Sequence, residues 1–215
     1  MGKLPAIIDG TRNVLTEFCQ RNREKRWYVE ASEYLKQRRR FIQSRFLDCI
    51  RYVDLHSNNK NAFSYELAGV LKDCGSCFGS VLDAMVRASR FTLRSQPNIR
   101  EYRSFLLAQE PRIWLKSVHV RSRFPNGLIL PLYSLKKGNA SPAWWTAYNQ
   151  VKHSEYREYR LGSLGNAATS LAALVILETV FGMAGSDEIW TNVGFSYEEQ
   201  SFDMKKMRRL FPNSE

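Results

Sequence analysis

Acidic side chains are in short supply in this sequence: 21 Asp and Glu stand against 32 Lys and Arg, a formal net charge of +11 over 215 residues. Histidine is scarcer still, at positions 56, 119 and 153 only. Such scattered imidazoles suggest no metal centre, and no carboxylate pair stands out as an acid/base couple. Cysteine is limited to Cys19, Cys49, Cys74 and Cys77. The one CxxC, Cys74 to Cys77, lacks the second ligand pair that zinc requires. Gly-rich phosphate loops, a GxSxG elbow and HExxH are all missing, so no cofactor and no metal are expected. The opening MGKLPAIIDGTR has no apolar stretch suited to a signal peptide, which predicts a cytoplasmic protein with free thiols. No uninterrupted hydrophobic run reaches membrane-spanning length. The best candidate, 161–185, carries Ser163, Asn166, Thr169, Ser170 and Glu178, and a spanning helix needs about 20 mostly apolar residues. It is read as the buried helix of a protein that does not enter a membrane.

What is present is an ordinary globular composition, 44% hydrophobic and 25% charged, enough to bury a core. No repeat, low-complexity stretch or linker divides it, so a single domain over 1–215 is expected. The charge is uneven. Residues 1–60 hold 13 basic and 7 acidic side chains, 61–140 hold 12 and 5, and 141–215 hold 7 and 9. A basic first two thirds would attract a polyanion, with nucleic acid or an acidic partner the candidates, and the same charge could equally serve solubility. The run Arg38-Arg39-Arg40 is too short to be diagnostic, and a test of that face would be to neutralise it.

Apolar spacing predicts mainly α-helix. A helix is expected from about Thr11, and another from about Ala31 towards Leu55 with Leu35, Ile42, Phe46, Cys49, Ile50 and Val53 inward. The clearest opens at Ser64, where Leu67, Leu71, Cys74, Phe78, Val81 and Met85 step by four and three. Gly69, Gly75 and Gly79 lower its intrinsic propensity and could let a second helix approach closely. A helix from Asn98 to Gln109 follows. The stretch 113–133 then changes character, with β-formers on either side of RSRFPNG, whose Asn126-Gly127 signals a hairpin. Pro131 places its strand at an edge. Helices return with Ser141-Pro142 as cap and first turn, from about Pro142 to Arg157 and from about Leu161 to Met183. After Gly185 the signal weakens, and KKMRR reads as an exposed helical tail.

The segment Trp144 to Arg157 is the least generic. On a continuous helix Asn149, His153 and Arg157 share one column, with Tyr148, Lys152 and Tyr156 beside it. An imidazole that can move a proton near neutral pH, flanked by cations, suits a phosphodiester. The same residues could instead hold neighbouring helices together through satisfied hydrogen bonds.

The pattern WWxxYNxxKHxxY, followed at once by LGNAATSLAALVILE, resembles a bacterial group with HEPN-like domains, the helical domains named for higher eukaryotes and prokaryotes nucleotide-binding. The earlier FSYELAGVLKDCGSCFGSVLDAM is similar to the helix that precedes the motif helix there. The resemblance implies a four- or five-helix bundle, all-α in class, here with a small β-hairpin insertion near 113–133. It also implies frequent dimers and, in many members, metal-independent ribonuclease activity in toxin or anti-phage systems. The family signature is an Arg, four to six residues of which the first is usually polar, then a His. His153 matches the histidine and Asn149 the polar residue, while Tyr148 stands where the arginine would be. Lys152 and Arg157 are the cations available to replace it. Looser matches, Arg51 to His56 and Arg112 to His119, lack this helical context. The expected function is an RNA-binding or RNA-cleaving component with His153, Asn149, Lys152, Arg157 and Tyr148 at its site. RNA is the expected partner, with a second copy or a protein partner beside it. The alternative is a non-catalytic interaction or scaffold protein, antitoxin-like, built from the same residues.

Overall fold

The computed structural model describes residues 21, 22, 24–89, 98–109, 113–120, 128–136, 140–180 and 195–197. The fold is mainly α. Its helices are α1 (Arg26–Ile50), α2 (Tyr65–Ala88), α3 (Ile99–Gln109), α4 (Ala143–Glu158) and α5 (Leu164–Val180). The expected helix at Thr11 and the KKMRR tail lie outside the described residues.

The long helix α1 starts five residues before the expected Ala31 and ends before Leu55. Leu35, Ile42 and Phe46 are fully buried, whereas Cys49, Ile50 and Val53 are half-buried at its end. The chain then turns through a short 3-10 segment, Ser57–Asn59. Ser64 caps α2 as its sequence predicts, its hydroxyl accepting a hydrogen bond from the Leu67 amide at 3.0 Å. The whole apolar stripe from Leu67 to Met85 is buried. Asn98 and Glu101 form a reciprocal capping box at α3: the Asn98 Oδ1 accepts from the Arg100 amide at 2.9 Å, and Glu101 Oε2 accepts from the Asn98 amide at 2.9 Å.

The insertion after α3 differs in extent from its expectation. Ile113–Leu115 is a 3-10 turn, and only Val118–Val120 (β1) and Leu128–Ile129 (β2) are strand. They pair antiparallel, Val118 opposite Ile129. The Asn126-Gly127 turn lies outside the described residues. Phe195–Tyr197 (β3), from a stretch where the sequence carries no clear signal, pairs antiparallel on the other side of β1, giving the order β2-β1-β3. Pro131 falls just past β2, an edge strand, and its carbonyl accepts the Trp144 indole N–H at 2.8 Å. That bond ties the insertion to α4.

Helix α5 is the centre of the bundle. Every residue from Ala167 to Glu178 except Thr169 is buried, and the helix packs against α1, α2 and α4. No helix among the described residues is long and apolar enough to cross a membrane. The charge that interrupts α5 has a partner. Arg39 and Glu178 form a buried ion pair between α1 and α5, and Arg39 Nη1 also donates to Gln43 at 2.5 Å. The Arg38-Arg39-Arg40 run is therefore not one basic face. Arg38 binds Asp73 of α2 at 3.0 Å, Arg39 faces the core, and Arg40 is exposed.

Cys74 and Cys77 are buried free thiols on α2. Burial raises both, Cys77 to about 12 from an ordinary 9.0. Burial also raises the Tyr102 phenol, and its hydrogen bond to Asp83 at 2.7 Å adds to this.

Two outcomes follow for stability. Breaking the buried pair with Arg39→Ala or Glu178→Ala should cost about 3–5 kcal/mol, because each leaves an uncompensated charge. The double variant Arg39→Met/Glu178→Leu should recover most of that loss in urea unfolding; a single variant as stable as the parent would remove the pair's structural role. The raised thiols and phenol set an alkaline limit. The folded chain keeps these protons after the unfolded chain has released them, so their contribution is complete below about pH 9 and declines above it, over a window reaching about 12 for Cys77. A melting temperature flat up to pH 9 and falling beyond it is the expected profile; a flat profile to pH 11 contradicts it.

Candidate functional site

The site expected from sequence lies on α4, and α2 positions it. Tyr65, Ala68, Lys72, Gly75 and Gly79 step by three, four, three and four along α2 and form one face. Five contacts seat the α4 region on that face, the first four in antiparallel register. Gly79 meets the Trp145 indole, Gly75 the Tyr148 ring, Lys72 Nζ the Glu155 carboxylate at 2.6 Å, Ala68 the backbone at Gly162, and Tyr65 the Tyr159 ring. The glycines do let another helix close in, most tightly at Gly75. A Cβ there would overlap the Tyr148 ring, whereas one at Gly79 would sit at an ordinary 3.6 Å from Trp145. Gly69 faces the Arg45 side chain of α1 instead.

Trp144 and Trp145 are core residues. Trp144 packs edge-on to Phe78 at 5.3 Å and Trp145 to Tyr102 at 6.2 Å. Tyr148, at the position of the motif arginine, is 6% exposed and belongs to the same core, its ring 5.2 Å from that of Trp145. Its visible service to the surface is indirect: the Lys152 ammonium lies over the ring at 5.7 Å. Asn149 is half-buried, and its amide donates to the Trp145 carbonyl one turn back at 3.0 Å. His153 and Lys152 are both exposed. Among the described residues His153 makes no hydrogen bond or ion pair.

The column Asn149, His153, Arg157 does not survive intact. Ser154 has non-helical backbone angles, φ −152° and ψ 52°, and breaks α4 immediately after His153. Asn149 and His153 share a face; Arg157 lies beyond the break, where its Nε donates to the Tyr156 hydroxyl at 2.8 Å. The stripe from Tyr148 and Lys152 to Tyr156 is interrupted at the same point. Ser141 also differs from expectation: its hydroxyl makes no bond to an α4 amide, and Pro142 is the capping residue. A proline cap supplies no side-chain acceptor, so α4 starts without one.

Beyond the break, a 3-10 turn (Tyr159–Leu161) leads into α5, where Ser163 accepts from the Asn166 amide at 3.2 Å. The loop before α2 joins it there. The Leu164 amide donates to Ala62 O at 2.7 Å and that of Gly165 to Lys60 O at 2.8 Å. A group of aromatic and cationic side chains results: Tyr65 stacks on Tyr159 at 4.4 Å, Phe63 meets Tyr159 edge-on at 5.6 Å, and Arg160 lies over Phe63 at 5.5 Å. Sequence reasoning missed this group, which two stretches far apart in sequence, 63–65 and 159–160, supply. The WWxxYNxxKHxxY pattern ends just short of it.

Of the other histidines, His56 caps the 3-10 segment by accepting from the Asn58 amide at 3.1 Å, and His119 lies in β1. Among the described residues no three His, Cys, Asp or Glu side chains gather as metal ligands. In comparisons with known proteins, no family model matches the chain, and neither a curated protein nor a solved structure matches it.

The Gly75 seat gives a contrast in sign. Gly75→Ala should destabilise by about 1–3 kcal/mol, because the Tyr148 ring must leave its place. Gly79→Ala, with room for its methyl, should be neutral or stabilising by up to about 1 kcal/mol through helix propensity. Urea titrations of the two variants test the register, which two equal effects would contradict.

Proposed function

We propose that the protein binds RNA through the exposed surface of α4 and the turn that follows, as a HEPN-like component of a bacterial toxin or defence system. One observation carries this reading. His153 and Lys152 stand exposed side by side at the break in α4, and Arg157 and Arg160 follow with no carboxylate partner among the described residues. Cations without carboxylates, next to an unengaged imidazole, favour a phosphodiester.

Metal-independent cleavage is the chemistry that the resemblance assigns to such a site. His153 would take the proton from a ribose 2′-hydroxyl as that oxygen attacks phosphorus. The bond to the 5′ oxygen breaks, and that oxygen takes a proton from solvent water while His153 returns its own to solvent, giving a 2′,3′-cyclic phosphate and a 5′-hydroxyl. Lys152 and Arg157 would stabilise the charge that builds on the phosphoryl oxygens. Asn149 and Tyr148 act from behind, Asn149 through the Trp145 carbonyl and Tyr148 beneath the Lys152 ammonium.

A second reading rests on those same two side chains. Tyr148 in the core and Asn149 bonded within its helix are what a non-catalytic interaction or scaffold protein would also show.

Cleavage of a generic single-stranded RNA in the presence of a chelator separates the two. His153→Ala should lower the rate by about 10²–10⁴-fold, with smaller losses for Lys152→Ala and Arg157→Ala. Because His153 is exposed and has no hydrogen-bond partner among the described residues, its substitution should change stability by no more than about 0.5 kcal/mol. Equal cleavage by the parent and a folded His153→Ala protein removes the histidine from the chemistry. RNA binding without cleavage leaves the binding role and favours the scaffold reading of α4.

A further inference from the structure

We propose that the ring cluster beside the α4–α5 turn is a base-stacking subsite for single-stranded RNA. The inference rests on the RNA-binding reading and adds to it what kind of RNA is taken and where a base would lie. Tyr65 and Tyr159 are stacked nearly parallel, 13° apart, so Tyr159 covers one face of Tyr65. Tyr65 is nonetheless 63% exposed, and no further ring packs on it among the described residues. Its other face therefore meets solvent as a flat aromatic surface, backed by a ring that holds it in place. Phe63, 45% exposed, extends the cluster.

Two cations stand beside the rings. Arg160 lies over Phe63, and Lys60 is exposed where its own carbonyl anchors the start of α5. Neither makes an ion pair among the described residues. Of the nearby carboxylates, Glu155 is paired with Lys72 and Glu66 with Arg45, which leaves Glu158 against Arg160 and Lys60. The local balance stays positive, which complements a phosphate backbone while the rings take a base. Unpaired bases stack on exposed aromatics and duplexed ones do not present their faces, so the arrangement selects single strands.

Gly162 shows that the cluster's position is built in. A Cβ at Gly162 would overlap the Ala68 backbone, so only glycine lets the turn approach α2 closely enough to bring Tyr159 onto Tyr65.

The test uses the full chain and a single-stranded 12-nucleotide RNA of mixed sequence with one 2-aminopurine, beside its blunt duplex. Anisotropy reports affinity and 2-aminopurine fluorescence reports stacking. Tyr65→Leu should weaken single-strand binding about tenfold or more and abolish the quenching, while Tyr65→Trp keeps both. Arg160→Gln should weaken binding and flatten its salt dependence. The duplex should bind at least tenfold more weakly than the single strand. Unchanged affinity and quenching in Tyr65→Leu would overturn the subsite and leave RNA binding elsewhere on α4 standing. No RNA binding by the parent at low salt would overturn both. A parent dimer that Tyr65→Leu dissociates would assign the rings to self-association and overturn the subsite.

Discussion

The Arg39–Glu178 pair is the interaction on which the rest of the bundle depends. Both side chains are buried, and they join α1 to α5, elements 139 residues apart in sequence. Two buried charges tolerate little misplacement, because separation leaves each without solvation. The pair therefore adds a directional contact between α1 and α5 to their apolar packing. Since α5 follows α4 through a three-residue turn and Gly162, whatever fixes α5 also fixes where that turn emerges. The candidate surface is at that turn.

Helix α2 does the complementary work by packing on two faces. The stripe from Leu67 to Met85 fills the core, with Cys74 beside Ser170 of α5. The second face, Tyr65, Ala68, Lys72, Gly75 and Gly79, is small at Ala68, Gly75 and Gly79 and receives α4 instead. Small residues let the Tyr148 ring and the Gly162 backbone come close. Lys72 and Tyr65 make their contacts where the chain reaches solvent. One helix thus carries both the stability of the core and the placement of the site.

This division explains what could be read from the sequence. The apolar stripe of α2, its Ser64 cap and the all-round apolar α5 were legible because each is a local pattern whose period or chemistry suffices. The close approach at Gly75 was legible as a permission, since glycines allow a contact without naming its partner. The break at Ser154 was not legible. No proline or glycine marks it, and its neighbours pair with another helix, Glu155 with Lys72. Strand β3 was missed because three residues, Phe195–Tyr197, are too few to show alternation; its partner β1 is some 75 residues earlier, as the Val120 to Phe195 pairing gives. The candidate site was half legible. His153 and Lys152 are where the helical spacing puts them, but Arg157 is beyond the break and Tyr148 has turned inward.

Charge counted along the chain and charge placed in space lead to different surfaces. By count, the basic excess belongs to the first 140 residues, and 141–215 are slightly acidic. In space, many of the early cations are spoken for. Arg38 and Arg45 share Asp73, Arg45 also binds Glu66, Arg39 holds Glu178, and Arg26, Lys36 and Arg51 pair within α1 or at its end. Lys152, Arg157 and Arg160, in the nominally acidic third, have aromatic neighbours and no carboxylate partner among the described residues. A cation over an aromatic ring keeps its full charge, whereas a salt bridge spends that charge on a neighbouring carboxylate. The field available to a polyanion is therefore set by which cations lack carboxylates, and around α4 that points to the end of the helix where His153 lies.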